Sequence, residues 1–128
     1  MHILMCNDDG ILADGLRHLA SYLSQYYRIT VVAPANEQSA KSHALTTEVP
    51  LKLDAYNGED ENPRLYALTG TPSDCMKFGL SYLLTDDMPD LVISGINHGF
   101  NLGSDVLYSG TVSAAMESCF YGIPGLAL

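Results

Sequence analysis

The chain has 128 residues, enough for one domain with a real core and too few for two. With 47% hydrophobic and 16% charged residues it has the composition of a globular protein rather than a disordered one. A formal net charge of −9 argues against general attraction to the nucleic-acid backbone, so an anionic substrate would have to be met by a local cation.

The opening run Ile3-Leu4-Met5 stops at Cys6-Asn7-Asp8-Asp9-Gly10. An apolar stretch that ends in polar residues and Gly, followed by a helical pattern, predicts the start of a β-α unit. Function in open parallel sheets collects at the carboxyl ends of strands, where Asp8 and Asp9 fall. At ~4 Å and an effective dielectric of about 20, two such carboxylates repel by roughly 4 kcal/mol, which a cation or several N–H donors would offset. The plainer alternative is that one of them caps the next helix. Leu12, Leu16, Leu19, Ala20 and Leu23 recur at helical spacing and predict a helix from about Asp14 to Tyr27. Arg28 to Ala33 is β-branched and predicts a second strand, ended by Pro34 and parallel to the first.

The polar loop 35–43 follows that strand, on the same rim as Asp8 and Asp9, and contains Ser39, Lys41 and His43. Thr46 to Tyr56 alternates as an exposed strand, with Pro50 marking an edge. An acidic turn at 57–63 leads to a return strand, Arg64 to Leu68, so a hairpin excursion is expected beside the main sheet. Thr69 to Asp74 opens a helix with Pro72 in its first turn, and Met76, Phe78, Leu80, Leu83 and Leu84 carry its apolar surface. Leu91 to Ser94 reads as a buried parallel strand. The loop 95–105 is rich in Gly and Asn, which suit unusual backbone angles. Ser109-Gly110-Thr111 then opens a last helix, whose free N–H groups and dipole favour an anion. Pro124 to Leu128 reads as a strand just begun, the pattern expected of a chain cut from a longer protein.

The fold class expected is therefore α/β: a Rossmann-like, mostly parallel sheet in a three-layer αβα arrangement, with residues 1–128 as one domain. No apolar run approaches the ~20 residues of a membrane span. Met1-His2-Ile3 enters the first strand without a basic leader, and Cys6, Cys75 and Cys119 are odd in number and widely spaced. Reduced core thiols in a cytoplasmic protein are expected rather than a disulfide frame or a zinc site.

On this topology Asp8, Asp9, Ser39, Asn97, Asn101 and Ser109-Gly110-Thr111 meet at one rim. Carboxylate, hydroxyl and amide oxygens form a hard donor set suited to Mg2+, Mn2+ or Ca2+. Such a cation, with a helix start for the remaining phosphoryl oxygens, predicts metal-assisted hydrolysis of a phosphate ester. Each residue also has a duller role: Ser39 and Ser109 as caps, Asn97 and Asn101 as turn residues, His43 and His98 facing solvent.

The motifs Asn7-Asp8-Asp9-Gly10, Ala33-Pro34, Gln38-Ser39, Gly70-Thr71-Pro72-Ser73-Asp74-Cys75, Ser94 through Gly103 and Tyr108 through Ala115 stand in order along most of the chain. With them the sequence resembles the SurE family, the survival-protein nucleotidases. The resemblance implies a phosphomonoesterase acting on nucleoside 5′- or 3′-monophosphates with one divalent cation, Mg2+ or Mn2+. It also implies Asp8, Asp9, Ser39 and Asn97 as metal ligands, and Asn101, Ser109, Gly110 and Thr111 beside the phosphate. Either Asp8 or Asp9 serves as general base on that reading. Family chains are longer, with a C-terminal part that completes the sheet and makes a homo-oligomer, dimer or tetramer. Ala40 stands where family members commonly carry Gly.

Two other readings follow from the same residues. A receiver-type phosphoacceptor domain also pairs acids after its first strand, but it would need an acceptor Asp where Ser94 stands and a Lys later than Lys77. A binding module that holds metal and nucleotide without turnover is the other.

Overall fold

The computed structural model describes residues 1–38, 44–99 and 102–128. The opening apolar run forms β1 (His2–Cys6), in which every residue is buried. Burial on both faces follows from its place in the sheet, between the parallel strands β2 (Arg28–Pro34) and β5 (Leu91–Ser94). Outside β2 lies β4 (Arg64–Leu68), also parallel, then β3 (Leu53–Ala55), antiparallel. Outside β5 lies β6 (Gly125–Ala127), giving a six-stranded sheet in the order β3-β4-β2-β1-β5-β6.

Helix α1 (Asp14–Leu23) covers one face, where Leu16 and Ala20 meet Ile3, Met5, Val31 and Ile93. Helices α2 (Pro72–Phe78) and α3 (Gly110–Cys119) cover the other, around Leu4, Val32, Met76, Leu80 and Ala114. Alternate residues of β1 thus enter two separate cores, as its pleat requires. Each fully buried Leu or Ile there contributes roughly 1.5–3 kcal/mol. The chain runs from β1 to β2 on one side and later crosses to β5 on the other, so the strand order reverses direction at β1. The ends of β1 and β5 border the crevice that this reversal opens.

The three-layer α/β architecture is the expected one, and several elements depart from the sequence pattern. Helix α1 stops at Leu23 rather than Tyr27, because Asn62 Nδ2 takes the carbonyls of Ser24 and Tyr27, both at 2.9 Å. Leu12 precedes the helix and is exposed, while Ile11 enters the core. The hairpin is present, but its return strand β4 is built into the sheet beside β2. Only Leu53–Ala55 of the expected strand 46–56 pairs with it. Past α2 the chain continues in a wider π turn over Gly79–Leu83, and Gly103–Tyr108 forms a 3-10 helix. All three cysteines are free. Cys6 and Cys75 are core thiols, whereas Cys119 is exposed and corrects the expectation of a third one.

The start of the 46–56 stretch is drawn off the sheet by Asp74. This buried carboxylate accepts from Thr46 N–H at 3.0 Å, Thr46 Oγ1 at 2.6 Å and Thr71 N–H at 2.8 Å. Thr71 Oγ1 accepts from Asp74 N–H at 3.1 Å, a reciprocal capping box at the head of α2. Burial alone would raise the Asp74 carboxyl, but its hydrogen bonds to Thr46 and Thr71 outweigh that and hold it below its ordinary 3.8. A carboxyl lowered in the folded state stabilises above its unfolded value and loses that contribution as pH falls through the folded one. Asp74→Asn is therefore expected to cost about 1–3 kcal/mol in urea unfolding at neutral pH. The difference from wild type should close as pH falls below 3.8.

Candidate functional site

The turn after β1 is built around Asn7, whose fully buried side chain spans it. Asn7 Oδ1 accepts from Gly10 N–H and Asn7 Nδ2 donates to Gly10 C=O, both at 3.1 Å. Gly10 has φ +103°, a conformation that favours glycine, while a Cβ there would make close but ordinary contact with the Pro34 and Asn36 backbone at 3.4 Å. The loop after β2 is fastened to the same turn, since Gln38 N–H donates to Asp8 C=O at 2.7 Å. Neither aspartate caps α1, whose N-cap is Ala13 without a side-chain bond. The plainer reading of the acidic pair is therefore set aside.

Asp8 is buried at the start of α3. Its Oδ1 accepts from Thr111 Oγ1 at 2.8 Å, and the same hydroxyl lies 3.4 Å from Asn97 Oδ1. Asn97 Nδ2 donates to Gly99 C=O at 3.2 Å, which turns Oδ1 toward Thr111. A Cβ on Gly110 would come within 2.8 Å of Asp8 Cβ and 3.2 Å of the Pro72 ring, so glycine lets the helix start press against the carboxylate. Ser109 Oγ accepts from Val112 N–H at 3.2 Å and is the N-cap of α3. The structure thus brings Asp8, Asn97, Gly110 and Thr111 together, from the ends of β1 and β5 and the first turn of α3. Ser39 and Asn101, with Ala40, Lys41 and His43, lie outside the described residues.

Asp9 carries the electrostatic tension of the site. Desolvation raises its carboxyl above the ordinary 3.8, the Asp8 charge raises it further, His98 opposes this and Glu37 adds to it. Asp9 Oδ2 is buried and has no hydrogen-bond partner among the described residues. Among those residues no three His, Cys, Asp or Glu side chains gather as a metal cluster. The donors at hand are two carboxylates and neutral oxygens. A buried acceptor without a donor, beside a second carboxylate and an oriented amide oxygen, fits a hard divalent cation better than zinc or a second hydrogen bond.

A sequence-family model described as "Survival protein SurE" matches residues 3–128. The chain belongs to the SurE family. A Thermoanaerobacter sp. protein called 5′-nucleotidase SurE is 54% identical over 128 residues, covering 100% of this chain and 50% of that protein. One of the same name from Vibrio vulnificus is 50% identical, covering 99% of this chain and 48% of that protein. The crystal structure of the SurE protein from Aquifex aeolicus superposes with a TM-score of 0.86 at 43% identity, over 99% of this chain and 50% of that one. This SurE chain spans about half the length of the curated relatives it matches.

Sequence reasoning did not single out Asn7, although Asn three residues before Gly is a turn signal in its own right. Nor did it foresee that Glu37 and His98 would act on Asp9, because they come from the ends of other strands. A cleft of about 720 Å³ lies at the opposite end of the sheet. Its polar groups, His2, Arg28, Asn62, Asp87 and Asp90, bond one another or nearby backbone. A smaller cleft of about 250 Å³ lies between Asn36 and Gln38, the latter bonded to Asp8 C=O, on one side and Thr69 and Thr71 on the other.

The raised Asp9 carboxyl has a consequence for stability. A carboxyl whose folded value is raised binds its proton more tightly when folded, so its ionisation costs stability above the unfolded 3.8. With divalent cations chelated, Asp9→Asn is expected to raise the urea midpoint at neutral pH. The gain should shrink as pH falls through the raised value and vanish below 3.8.

Proposed function

We propose that this chain carries the catalytic centre of a divalent-metal-dependent nucleotidase, hydrolysing nucleoside monophosphates to nucleoside and phosphate. The observation that carries the reading is the buried Asp9 Oδ2, without a partner among the described residues, beside an Asp8 pressed against the first turn of α3. The relatives named 5′-nucleotidase SurE supply the substrate class, with the phosphate on the 5′-hydroxyl and, by the resemblance, also on the 3′.

On this reading Asp8, Asp9 and Asn97, with Ser39, hold one Mg2+ or Mn2+. The cation supplies Lewis-acid polarisation of a phosphoryl oxygen and neutralises charge in a chain whose net charge is −9. The N–H groups opening α3 at Gly110 and Thr111, together with Ser109 and Asn101, face the other phosphoryl oxygens, where the helix dipole favours negative charge. Either Asp8 or Asp9 is the general base on this reading; Asp8 Oδ1 accepts from Thr111, whereas Asp9 Oδ2 has no partner among the described residues, which favours Asp9. The cleft beside Gln38 is of a size to take part of the nucleoside. The intact protein would act as a homo-oligomer, with residues 1–128 as one domain of it and no stable hold on nucleic acid. Among the described residues no helix is long and apolar enough to cross a membrane, and a cytoplasmic location is part of the proposal.

No residue between Asp90 and the end of β5 offers an acceptor carboxylate, and Ser94 closes that strand, which disfavours a receiver-type domain. Phosphate release from a panel of 5′- and 3′-nucleoside monophosphates is the test. Release with Mn2+ or Mg2+, lost in EDTA and reduced at least ~100-fold in Asp8→Asn and Asp9→Asn, is expected. Release that persists in EDTA, or in either variant, would refute the metal-dependent mechanism. Mn2+ binding without release would leave the binding module as the better reading.

A further inference from the structure

Two hydroxyls stand at the opening of α3, and their hydrogen bonds give them different chemistry. A threonine hydroxyl has one proton and two lone pairs. Thr111 Oγ1 is 1% exposed and lies 2.8 Å from Asp8 Oδ1 but 3.4 Å from Asn97 Oδ1. The shorter distance is that of an ordinary O–H···O bond and the longer one is beyond it, so the proton goes to Asp8. What remains on Thr111 is acceptor capacity, which a phosphoryl oxygen at neutral pH cannot use. Ser109 is the reverse case. Its Oγ accepts from Val112 N–H, and among the described residues its own proton is given to no acceptor. The β-branched Thr111 side chain is stiff at χ1 on a helix, which suits a fixed strut better than an adaptable donor.

We propose that Thr111 is a positioning residue that orients the Asp8 carboxylate through its hydroxyl, while Ser109 supplies the hydroxyl that meets the phosphoryl group. The inference rests on the nucleotidase reading above and divides between two residues a role that the family resemblance implies for both. Holding Asp8 Oδ1 fixes the plane of the carboxylate, and with it the placement of Oδ2 beside Gly110. Partners of this kind, one bond removed from a ligand, typically change metal affinity or activity about 10–100-fold when lost.

The test uses Thr111→Val, Thr111→Ser and Ser109→Ala in the full chain. Mn2+ affinity is read by calorimetry, and kcat and KM by phosphate release from a nucleoside monophosphate. Thr111→Val should weaken Mn2+ binding and lower kcat, each about 10-fold or more, with KM moving less than about 2-fold. Thr111→Ser, which keeps the proton, should recover both. Ser109→Ala should raise KM and the inhibition constant of inorganic phosphate and leave Mn2+ affinity unchanged. The proposal is overturned if Thr111→Val raises KM and the phosphate inhibition constant while Mn2+ affinity stays at the wild-type value. Should the wild-type chain neither bind Mn2+ nor release phosphate, the nucleotidase reading falls, and the positional claim is decided by urea midpoints of Thr111→Val, Asp8→Ala and their double variant. Non-additive shifts support the Thr111–Asp8 link, and additive shifts overturn it.

Discussion

Consecutive carboxylates at the end of the most deeply buried strand impose the constraint around which the other elements are arranged. β1 has a parallel neighbour on each side and a helix layer on each face, so Asp8 leaves it buried and Asp9 half-buried with one oxygen shielded. One charge is met by the protein itself, through the Thr111 hydroxyl and the opening of α3. On the other, Oδ2 has no partner among the described residues, and desolvation and the Asp8 charge raise the Asp9 carboxyl against the opposing pull of His98. A protein selected for stability alone would have little reason to keep Asp9 there. Local destabilisation of this kind is expected where a ligand completes the structure.

The supporting parts come from distant points of the chain. Asn7 and Gly10 shape the turn locally, Gln38 ties the β2 loop to Asp8 C=O, and Pro72 and Gly110 wall the carboxylate from the heads of two helices. The head of α2 is itself held by Asp74, which also draws in Thr46. Because segment 44–46 and the end of β1 at Cys6 meet the same helix start, a change at Asp74 or Gly70 would reach the site through Pro72 without touching it. A Cβ on Gly70 would stand 2.8 Å from Asp74 Cβ, so that junction has no slack.

Much of this was legible in the residues. β5 has the expected bounds because a short buried run such as Leu-Val-Ile leaves little ambiguity, and β4 because the turn at 57–63 marks its start and Thr69-Gly70 its end. Asp8, Asn97, Gly110 and Thr111 were expected at one rim because strand ends in a parallel sheet share a side, and they do meet there. The errors have common causes. α1 was read four residues too long because nothing in Tyr26-Tyr27 signals a stop, whereas the stop comes from Asn62, 38 residues away from Ser24. The strand 46–56 was read too long because alternation says nothing of a side chain drawn to Asp74. Which group holds which was beyond the sequence altogether: the Thr111–Asp8 bond joins residues 103 apart. Spacing can place two groups on one rim, but it does not say which of two hydroxyls has committed its proton.

The most direct test of the proposed centre is anomalous diffraction from crystals of the full chain grown with Mn2+. One strong peak about 2.1 Å from carboxylate oxygens of Asp8 and Asp9 and from Asn97 Oδ1, with Asp9 Oδ2 no longer without a partner, is the expected result. Full Mn2+ occupancy elsewhere on the chain, with these three side chains unliganded, would contradict it.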